Sequence, residues 1–263
     1  MEETSCPTEA QASRGRAFVI NLARAVERRA HIHKELGRAG FRSPDIELIQ
    51  AVDGRELTTD VLRRRGARLF PNWRLPGASV PFYARELKWG EVACSLSHLE
   101  AWRQIALSRE PLGLVLEDDV EFLADARAIR EQLWRLSRVV PDWHLCYVGI
   151  GPLVPGFASR NPPETRVAPN LLVPRFRYGA YAYALSRAGA VRLLEQRLEQ
   201  AVIPVDEFLP ALYTTHPRQD IRAAFGRCDR LRAFAIDPSL VFEPRLHPSI
   251  SETSPPVLDC GPA

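Results

Sequence analysis

The chain has 263 residues, of which 46% are hydrophobic and 25% are charged, a composition typical of a folded globular protein with a sizeable core. A formal net charge of +3 is too small to indicate nucleic-acid binding, and no apolar run of about 18 residues predicts a membrane span, which leaves peripheral association open. The five cysteines are scattered and form no CxxC pair, so we expect neither a zinc site nor a disulfide framework. With no basic-then-apolar order at the N-terminus to suggest a secretory signal, these features predict a reducing, cytoplasmic setting.

The first half of the chain alternates apolar runs with helical patterns. Residues 1–15 are polar and small, and we expect a disordered tail there. Buried strands are predicted at residues 17–22 and 46–52. Helices are predicted at residues 25–39, 58–69 and 90–107, the last of them strongly amphipathic, and an irregular loop at residues 70–89.

The second half continues the same alternation. Strands are predicted within the segment 112–122 and at residues 143–148, 178–185, 231–236 and 240–242, and helices at residues 125–138, 187–198 and 204–213. Residues 149–169 are rich in glycine and proline and predict a loop. The alternation implies an α/β fold with a mostly parallel sheet, in one domain over residues 16–254 with a C-terminal tail at residues 255–263.

Residues 112–122, which read LGLVLEDDVEF, are the most informative segment of the chain. The apolar run predicts a buried strand, and it leads into three consecutive carboxylates, Glu117, Asp118 and Asp119. Such a cluster costs desolvation energy unless a cation lies among its members. Because side chains alternate along a strand, we expect Glu117 and Asp119 to face a divalent ion and Asp118 to point the other way. The alternative is an acidic helix start, where carboxylates favour the helix dipole.

Several segments, in order, resemble glycosyltransferase family 25: VINLARAVERR, AVDG, WGEVACSLSHLEAW and LVLEDDVEF. Toward the C-terminus, PVDEFLPALYTTHP, LRAFA and HPSISETS are similar to the collagen galactosyltransferase branch of that family. The resemblance covers roughly residues 16–254, and it departs from the family at Ala23 and Ile250, where the family often has Asp.

The resemblance implies a GT-A type, Rossmann-like mixed sheet flanked by helices. It also implies inverting transfer of a hexose, usually galactose, from a UDP-sugar with the help of Mn²⁺ or Mg²⁺. The acceptor hydroxyl would belong to hydroxylysine of a collagen-like chain or to a saccharide of a lipooligosaccharide. The alternative is a catalytically inactive member of the family that serves as a binding or adhesion module.

A divalent ion would stabilise the diphosphate leaving group of such a reaction. We predict Asp119 as a direct metal ligand, with Glu117 assisting directly or through water, and Asp118 in contact with ribose or sugar hydroxyls. His247 is a candidate third ligand, and the alternative for it is an exposed loop residue before Pro248.

Inversion in one displacement needs a general base on the acceptor side. Asp206 and Glu207 lie at the start of a short predicted helix after Pro204, and the resemblance favours them as the catalytic pair. The alternative is a helix cap, where an acidic residue is stabilising without any chemistry. Between the two we choose Asp206.

Polar residues after the first two strands are candidates for the nucleotide site. Asn21 could bind uracil or ribose, and Arg24 and Arg28 could hold phosphate or stack on the base, unless they belong to a solvated helix face. Asp53 in the AVDG turn is predicted at the donor site, and an Asx turn before Gly54 is its alternative.

The helix at residues 90–107 carries a further candidate set. Glu91, Ser95 and His98 share one face at helical spacing, and the family motif favours the donor pocket for them over a satisfied core histidine. Ser97 lies off that face, and Cys94 is expected to be a small packed residue.

Overall fold

The structure is a computed structural model that describes residues 15–151, 164–225, 229–244 and 254–257. Its strands are β1 (Arg16–Asn21), β2 (Ile46–Gln50), β3 (Leu112–Glu117), β4 (Glu121–Phe122), β5 (Leu145–Gly149), β6 (Thr165–Ala168), β7 (Leu171–Val173), β8 (Ala182–Ser186), β9 (Ala233–Ile236) and β10 (Val241–Phe242). Its α-helices are α1 (Val26–Arg38), α2 (Thr59–Arg64), α3 (Trp89–Leu107), α4 (Ala126–Val139), α5 (Arg187–Glu195), α6 (Val205–Ala211) and α7 (Gln219–Phe225).

Eight strands form one sheet in the order β2-β1-β3-β8-β5-β9-β7-β6, and β4 pairs separately with β10. Strand β1 runs parallel to both β2 and β3, and β5 runs parallel to β9. The pairs β3–β8, β5–β8, β7–β9 and β6–β7 are antiparallel. The mixed α/β sheet with flanking helices is confirmed, whereas the expectation of a mostly parallel sheet is wrong, because β8 enters antiparallel between β3 and β5.

Apolar side chains of β3 reach both faces of the sheet because they alternate along the strand. Leu114 and Leu116 pack in the cluster that includes α1 and α4, and Val115 packs in the cluster that includes α3, α5 and α6. The continuous apolar run of β3 is therefore what a strand covered on both faces requires. The two clusters share this sheet and make one domain.

Helix α3 lies between the sheet and helices α5 and α6 and is buried around most of its circumference. The prediction of an amphipathic helix with one apolar face is therefore wrong. Polar residues such as Ser95 and Ser97 are as deeply buried as the apolar ones, with 0% and 1% exposure. When a helix is enclosed on most sides, the spacing of its apolar residues does not mark one buried face.

Residues 254–257, where the predicted domain meets the predicted C-terminal tail, pack on the first turn of α3. The amide of Trp89 donates to the carbonyl of Pro255 at 3.1 Å, and the amide of Gly90 donates to Oγ of Ser254 at 2.8 Å. Two amides at the start of the helix thus find acceptors in a distant part of the chain.

Gly54 allows a close approach between the turn after β2 and the same end of α3. A Cβ atom at this position would lie 2.8 Å from the backbone nitrogen of Gly90 and 2.8 Å from the carbonyl oxygen of Trp89. Only glycine fits here without displacement of the turn.

Some elements were not predicted. Strand β6 lies in the segment that was expected to be a loop, and residues 152–163 of that segment lie outside the described part. Strand β7 and helix α7 are formed by segments that show no clear periodicity. Residues 70–89 contain a 3₁₀ turn, Pro81–Ala84, within the predicted irregular loop. Among the described residues no helix is both long enough and apolar enough to cross a bilayer.

Candidate active site

The carboxyl ends of β1 and β3 and the residues after β2 open onto one cleft. In an open α/β sheet this is the edge where ligands bind. The first turns of α3 form a wall of small side chains, and the acidic turn after β3 lies opposite. The α3 residues in this wall are Gly90, Ala93, Cys94 and Ser97, and the acidic residues of the cleft are Glu117, Asp118, Asp119 and Glu243.

The three carboxylates after β3 divide differently from the prediction. The strand ends at Glu117, and a turn follows, so the alternation of side chains does not continue through Asp118 and Asp119. Nη1 of Arg28 donates to Oδ1 of Asp118 at 3.1 Å and to Oδ2 of Asp119 at 2.8 Å. The expectation that Asp118 points away from Asp119 is therefore wrong: Asp118 and Asp119 share Arg28, and Glu117 lies toward α3.

Glu117 faces the buried imidazole of His98, with Oε1 3.4 Å from Nε2. Its side chain retains 32% exposure to the cleft. Burial, followed by the charges of Asp119, Asp206 and Asp118, raises the pKa of Glu117 well above its ordinary value. A nearby cation would stabilise the ionised form of a carboxyl group in this position.

Asp119 carries the clearest sign of an incomplete site. Its Oδ1 atom is buried and has no hydrogen-bond partner among the described residues, although Oδ2 is paired with Arg28. Burial raises the pKa of Asp119 despite the opposing effect of Arg28. A buried, unsatisfied carboxylate oxygen beside a second acid suits a hard divalent ion, so the residues fit the metal that the sequence predicts.

Asn21 is buried and fully used within the protein. Its Nδ2 donates to Oδ2 of Asp118 at 2.6 Å, and its Oδ1 accepts from Nε of Arg29 at 2.8 Å. This arrangement leaves no amide group for uracil, so Asn21 positions Asp118 at the end of β1.

Asp53 is held between two arginines beside the cleft. Nε of Arg24 donates to Oδ2 of Asp53 at 2.6 Å, and Nη2 of Arg55 donates to the same oxygen at 2.9 Å. Although burial opposes it, hydrogen bonds from Arg24 and Arg55 hold the pKa of Asp53 below its ordinary value. Oδ1 also accepts from the amide of Arg55, the Asx geometry that was the alternative for this residue.

Glu91 and Ser95 were predicted at the donor pocket, but their side chains make structural contacts. Glu91 is paired with Arg85 and accepts from the amide of Lys88 at 2.7 Å, which caps α3. Ser95 donates to the carbonyl of Ile203 at 2.8 Å. The face that lines the cleft is instead the one that carries Ser97. Residue spacing could not identify this face, because α3 is buried around most of its circumference.

His98 is fully buried, and its two ring nitrogens face different partners. Nδ1 lies 2.8 Å from the hydroxyl of Tyr183, which also accepts from Nε1 of Trp102 at 2.7 Å. Burial lowers the pKa of His98 to about 4, so the ring is neutral near pH 7. The structure thus places His98 in the core, which was the alternative for this residue, with Nε2 next to Glu117.

Asp206 begins α6 beside the acidic cluster. Its Oδ1 accepts from the amides of Gly179 at 3.0 Å and Ala180 at 2.8 Å, and Oδ2 makes no hydrogen bond to the described residues. Burial raises the pKa of Asp206 above its ordinary value. A carboxylate fixed through one oxygen and open at the other has the form of a general base.

Glu207, its neighbour, points into the core and has 0% exposure. It accepts from the hydroxyls of Tyr83 at 2.7 Å and Tyr178 at 2.5 Å and contacts Nε2 of His216 at 2.7 Å. The amide of Arg218 donates to Nδ1 of His216, so Nε2 carries the ring proton and donates to Glu207. This saturated network gives Glu207 a structural role.

The predicted ligand His247 lies outside the described residues.

Most of the chain is similar in sequence to known proteins of one family. Residues 15–139 match the family model described as glycosyltransferase family 25 (LPS biosynthesis protein). The chain is 35% identical over 234 residues to the inactive glycosyltransferase 25 family member 3 of Mus musculus, covering 85% of the chain and 36% of that protein. It is 32% identical over 236 residues to a glycosyltransferase 25 family member of Drosophila melanogaster, covering 90% and 36%. It is 32% identical over 226 residues to procollagen galactosyltransferase 1-B of Xenopus laevis, covering 86% and 35%. The matched part thus spans little more than a third of these relatives.

Proposed function

The chain belongs to glycosyltransferase family 25, and from this premise we propose that it transfers a hexose from a UDP-sugar to an acceptor hydroxyl with inversion. Galactose is the sugar we expect, in line with the name of one relative. The observation that carries the proposal is the unsatisfied, buried Oδ1 of Asp119 among crowded carboxylates at the end of β3, with Asp206 nearby.

Glu117 and Asp119 would hold the divalent ion, with Mn²⁺ or Mg²⁺ as the expected metal. Both are carboxylates with raised pKa values, and neither is matched by a full set of hydrogen-bond donors. A bound ion of this kind supplies Lewis-acid stabilisation of the negative charge that forms on the departing diphosphate.

Arg28 is the basic residue in the cleft best placed to meet a phosphate. Its guanidinium lies against Asp118 and Asp119 with a side-chain exposure of 12%. Once a cation neutralises these acids, the arginine can turn its donors toward the diphosphate without leaving them unpaired. Asn21, through its bond to Asp118, would keep the acidic turn in place during this exchange.

Asp206 would accept the proton of the acceptor hydroxyl. As the acceptor oxygen forms its bond to the anomeric carbon, the bond from that carbon to the diphosphate breaks, and the proton passes to Oδ2 of Asp206. The amides of Gly179 and Ala180 hold the other oxygen, so the base is fixed before the acceptor arrives. Its raised pKa brings it closer to the pH at which a general base works best.

The test is UDP release from a panel of UDP-sugars with Mn²⁺, with saccharides and hydroxylysine peptides as acceptors. Asp206→Asn should keep donor binding and lose transfer by at least about 100-fold, the usual contribution of a general base. Asp60→Asn is the matched control, because Asp60 is an exposed carboxylate paired with Arg63 on α2. Equal turnover in the two variants would remove Asp206 from the mechanism.

A second candidate function is a binding module without transferase activity. The ion pairs of Arg28 with Asp118 and Asp119 favour it, because an arginine that stays there already neutralises the acids. One relative is itself named as an inactive family member. Under this alternative, calorimetry would detect no UDP binding in the presence of Mn²⁺, and no UDP would be released from any UDP-sugar whichever acceptor is added.

A further inference from the structure

We propose that Cys94, His98 and Glu117 form a second cation site, one that takes a borderline-soft ion such as Zn²⁺ and that lies beside the carboxylate site of Asp119. Each residue offers one ligand atom, and the three atoms lie within 4.8 Å of one another. The inference concerns metal binding alone and stands or falls independently of the transferase activity.

The distances suit a four-coordinate ion. Zinc–ligand bonds of about 2.0 to 2.3 Å place the ligand atoms of a tetrahedral site about 3.3 to 3.8 Å apart. Nε2 of His98 and Oε1 of Glu117 are already 3.4 Å apart. Glu117 is partly exposed and Cys94 is only half-buried, so both can move slightly toward a shared ion.

The surroundings of His98 are those of a metal-binding histidine. A ligating imidazole usually gives its other ring nitrogen to a hydrogen-bond partner, which fixes the ring. Here the hydroxyl of Tyr183 lies 2.8 Å from Nδ1, and Trp102 holds that hydroxyl in turn. With Nε2 bound to an ion, the ring proton would lie on Nδ1 and donate a hydrogen bond to the oxygen of Tyr183, and the thiol of Cys94 would release its proton to solvent.

The fourth coordination position faces the cleft, since Cys94 and Glu117 both line it. Three protein ligands with one open position distinguish reactive zinc sites from closed structural ones. Thiolate and imidazole favour Zn²⁺ over Mn²⁺, whereas carboxylates alone favour Mn²⁺ or Mg²⁺. Because Glu117 belongs to both sets of ligands, Zn²⁺ bound here takes Glu117 away from Asp119.

Titration of the 263-residue chain with Co²⁺, the spectroscopic substitute for Zn²⁺, tests the site. Thiolate ligation gives a near-ultraviolet charge-transfer absorption that carboxylates do not give. We expect this band in the unaltered protein and in Asp119→Asn, and its loss in Cys94→Ser. Cys146→Ala is the matched control, because Cys146 is fully buried in β5 and belongs to no such cluster within the part of the chain that the structure describes. A band that persists in Cys94→Ser, or no band at all, would overturn the proposal.

A second measurement avoids substitution altogether. Zn²⁺ should slow the alkylation of Cys94 in the unaltered protein by at least about tenfold, read by mass spectrometry of the peptide that contains it, because a metal-bound thiolate is shielded. Mg²⁺ at the same concentration should leave the rate unchanged. Equal alkylation rates with Zn²⁺ and Mg²⁺ would exclude Cys94 as a ligand.

Discussion

Replacement of Glu207 by leucine tests whether this carboxylate is structural. The change leaves the hydroxyl of Tyr83 and Nε2 of His216 without an acceptor, and these two groups are buried, with 4% and 0% residue exposure. The third donor, Tyr178, is half-buried and can turn to water. Each orphaned buried donor costs about 1 to 3 kcal/mol, so Glu207→Leu should lower the free energy of unfolding by about 2 to 6 kcal/mol.

The matched variant is Glu207→Gln. Its amide oxygen can serve both Tyr83 and His216, and its NH₂ group can donate to the hydroxyl of Tyr178, whose own proton then goes to solvent. Every buried donor keeps an acceptor, so we expect a loss of only about 1 kcal/mol, the difference between a charged and a neutral acceptor.

Urea denaturation followed by circular dichroism measures both variants, and UDP release measures their turnover. We expect a large shift of the midpoint for Glu207→Leu, a small shift for Glu207→Gln, and turnover in Glu207→Gln within a few-fold of the unaltered protein. If Glu207→Leu is as stable as the unaltered protein, the buried network is not what holds α6 in place. If Glu207→Gln is stable but loses turnover, Glu207 takes part in the reaction.

Two further predictions concern the acidic turn. Asp119→Asn should abolish Mn²⁺-dependent UDP binding in calorimetry while the thermal unfolding of the metal-free protein stays cooperative, and unchanged binding would refute its assignment as a ligand. The raised pKa values of Glu117 and Asp119 mean that these two groups hold more protons in the folded state than in the unfolded state, so their contribution to metal-free stability should fall as the pH rises from about 4, the ordinary carboxyl value, toward neutral pH. Mn²⁺ should therefore raise the melting temperature more at the upper end of that range, measured by scanning fluorimetry, and an equal rise at both ends would contradict this reasoning.

Long apolar runs were enough to locate the elements that carry the site. Helix α3 was predicted to within one residue and β3 was predicted at its first residue but not at its end, because a strand covered on both faces and a long buried helix leave strong apolar patterns. Strand β6 shows the limit: three of its four residues are exposed and it lies at the sheet edge, so no burial pattern marks it.

The sequence indicated which side chains lie at the site better than it indicated how they are arranged. The carboxylates after β3 and at the start of α6 can be read from the sequence, but the contacts of each acid after β3 depend on where the strand ends, at Glu117. The partners of Glu207 come from positions 83, 178 and 216, which are far apart in the chain. Hydrogen bonds over such separations leave no local signal in one sequence.

The size of the residue at position 54 sets how closely the turn after β2 approaches α3, and therefore the width of the cleft between them. Any larger residue there collides with the backbone of Trp89 and Gly90, so the turn must back away from α3 and carry Asp53 with it. A homologue that bears alanine or a bulkier residue at this position should therefore have a wider groove beside the helix, whatever the rest of its sequence retains. Comparing donor preference between such homologues and this chain would show how far the width of that groove decides which sugar nucleotide is admitted.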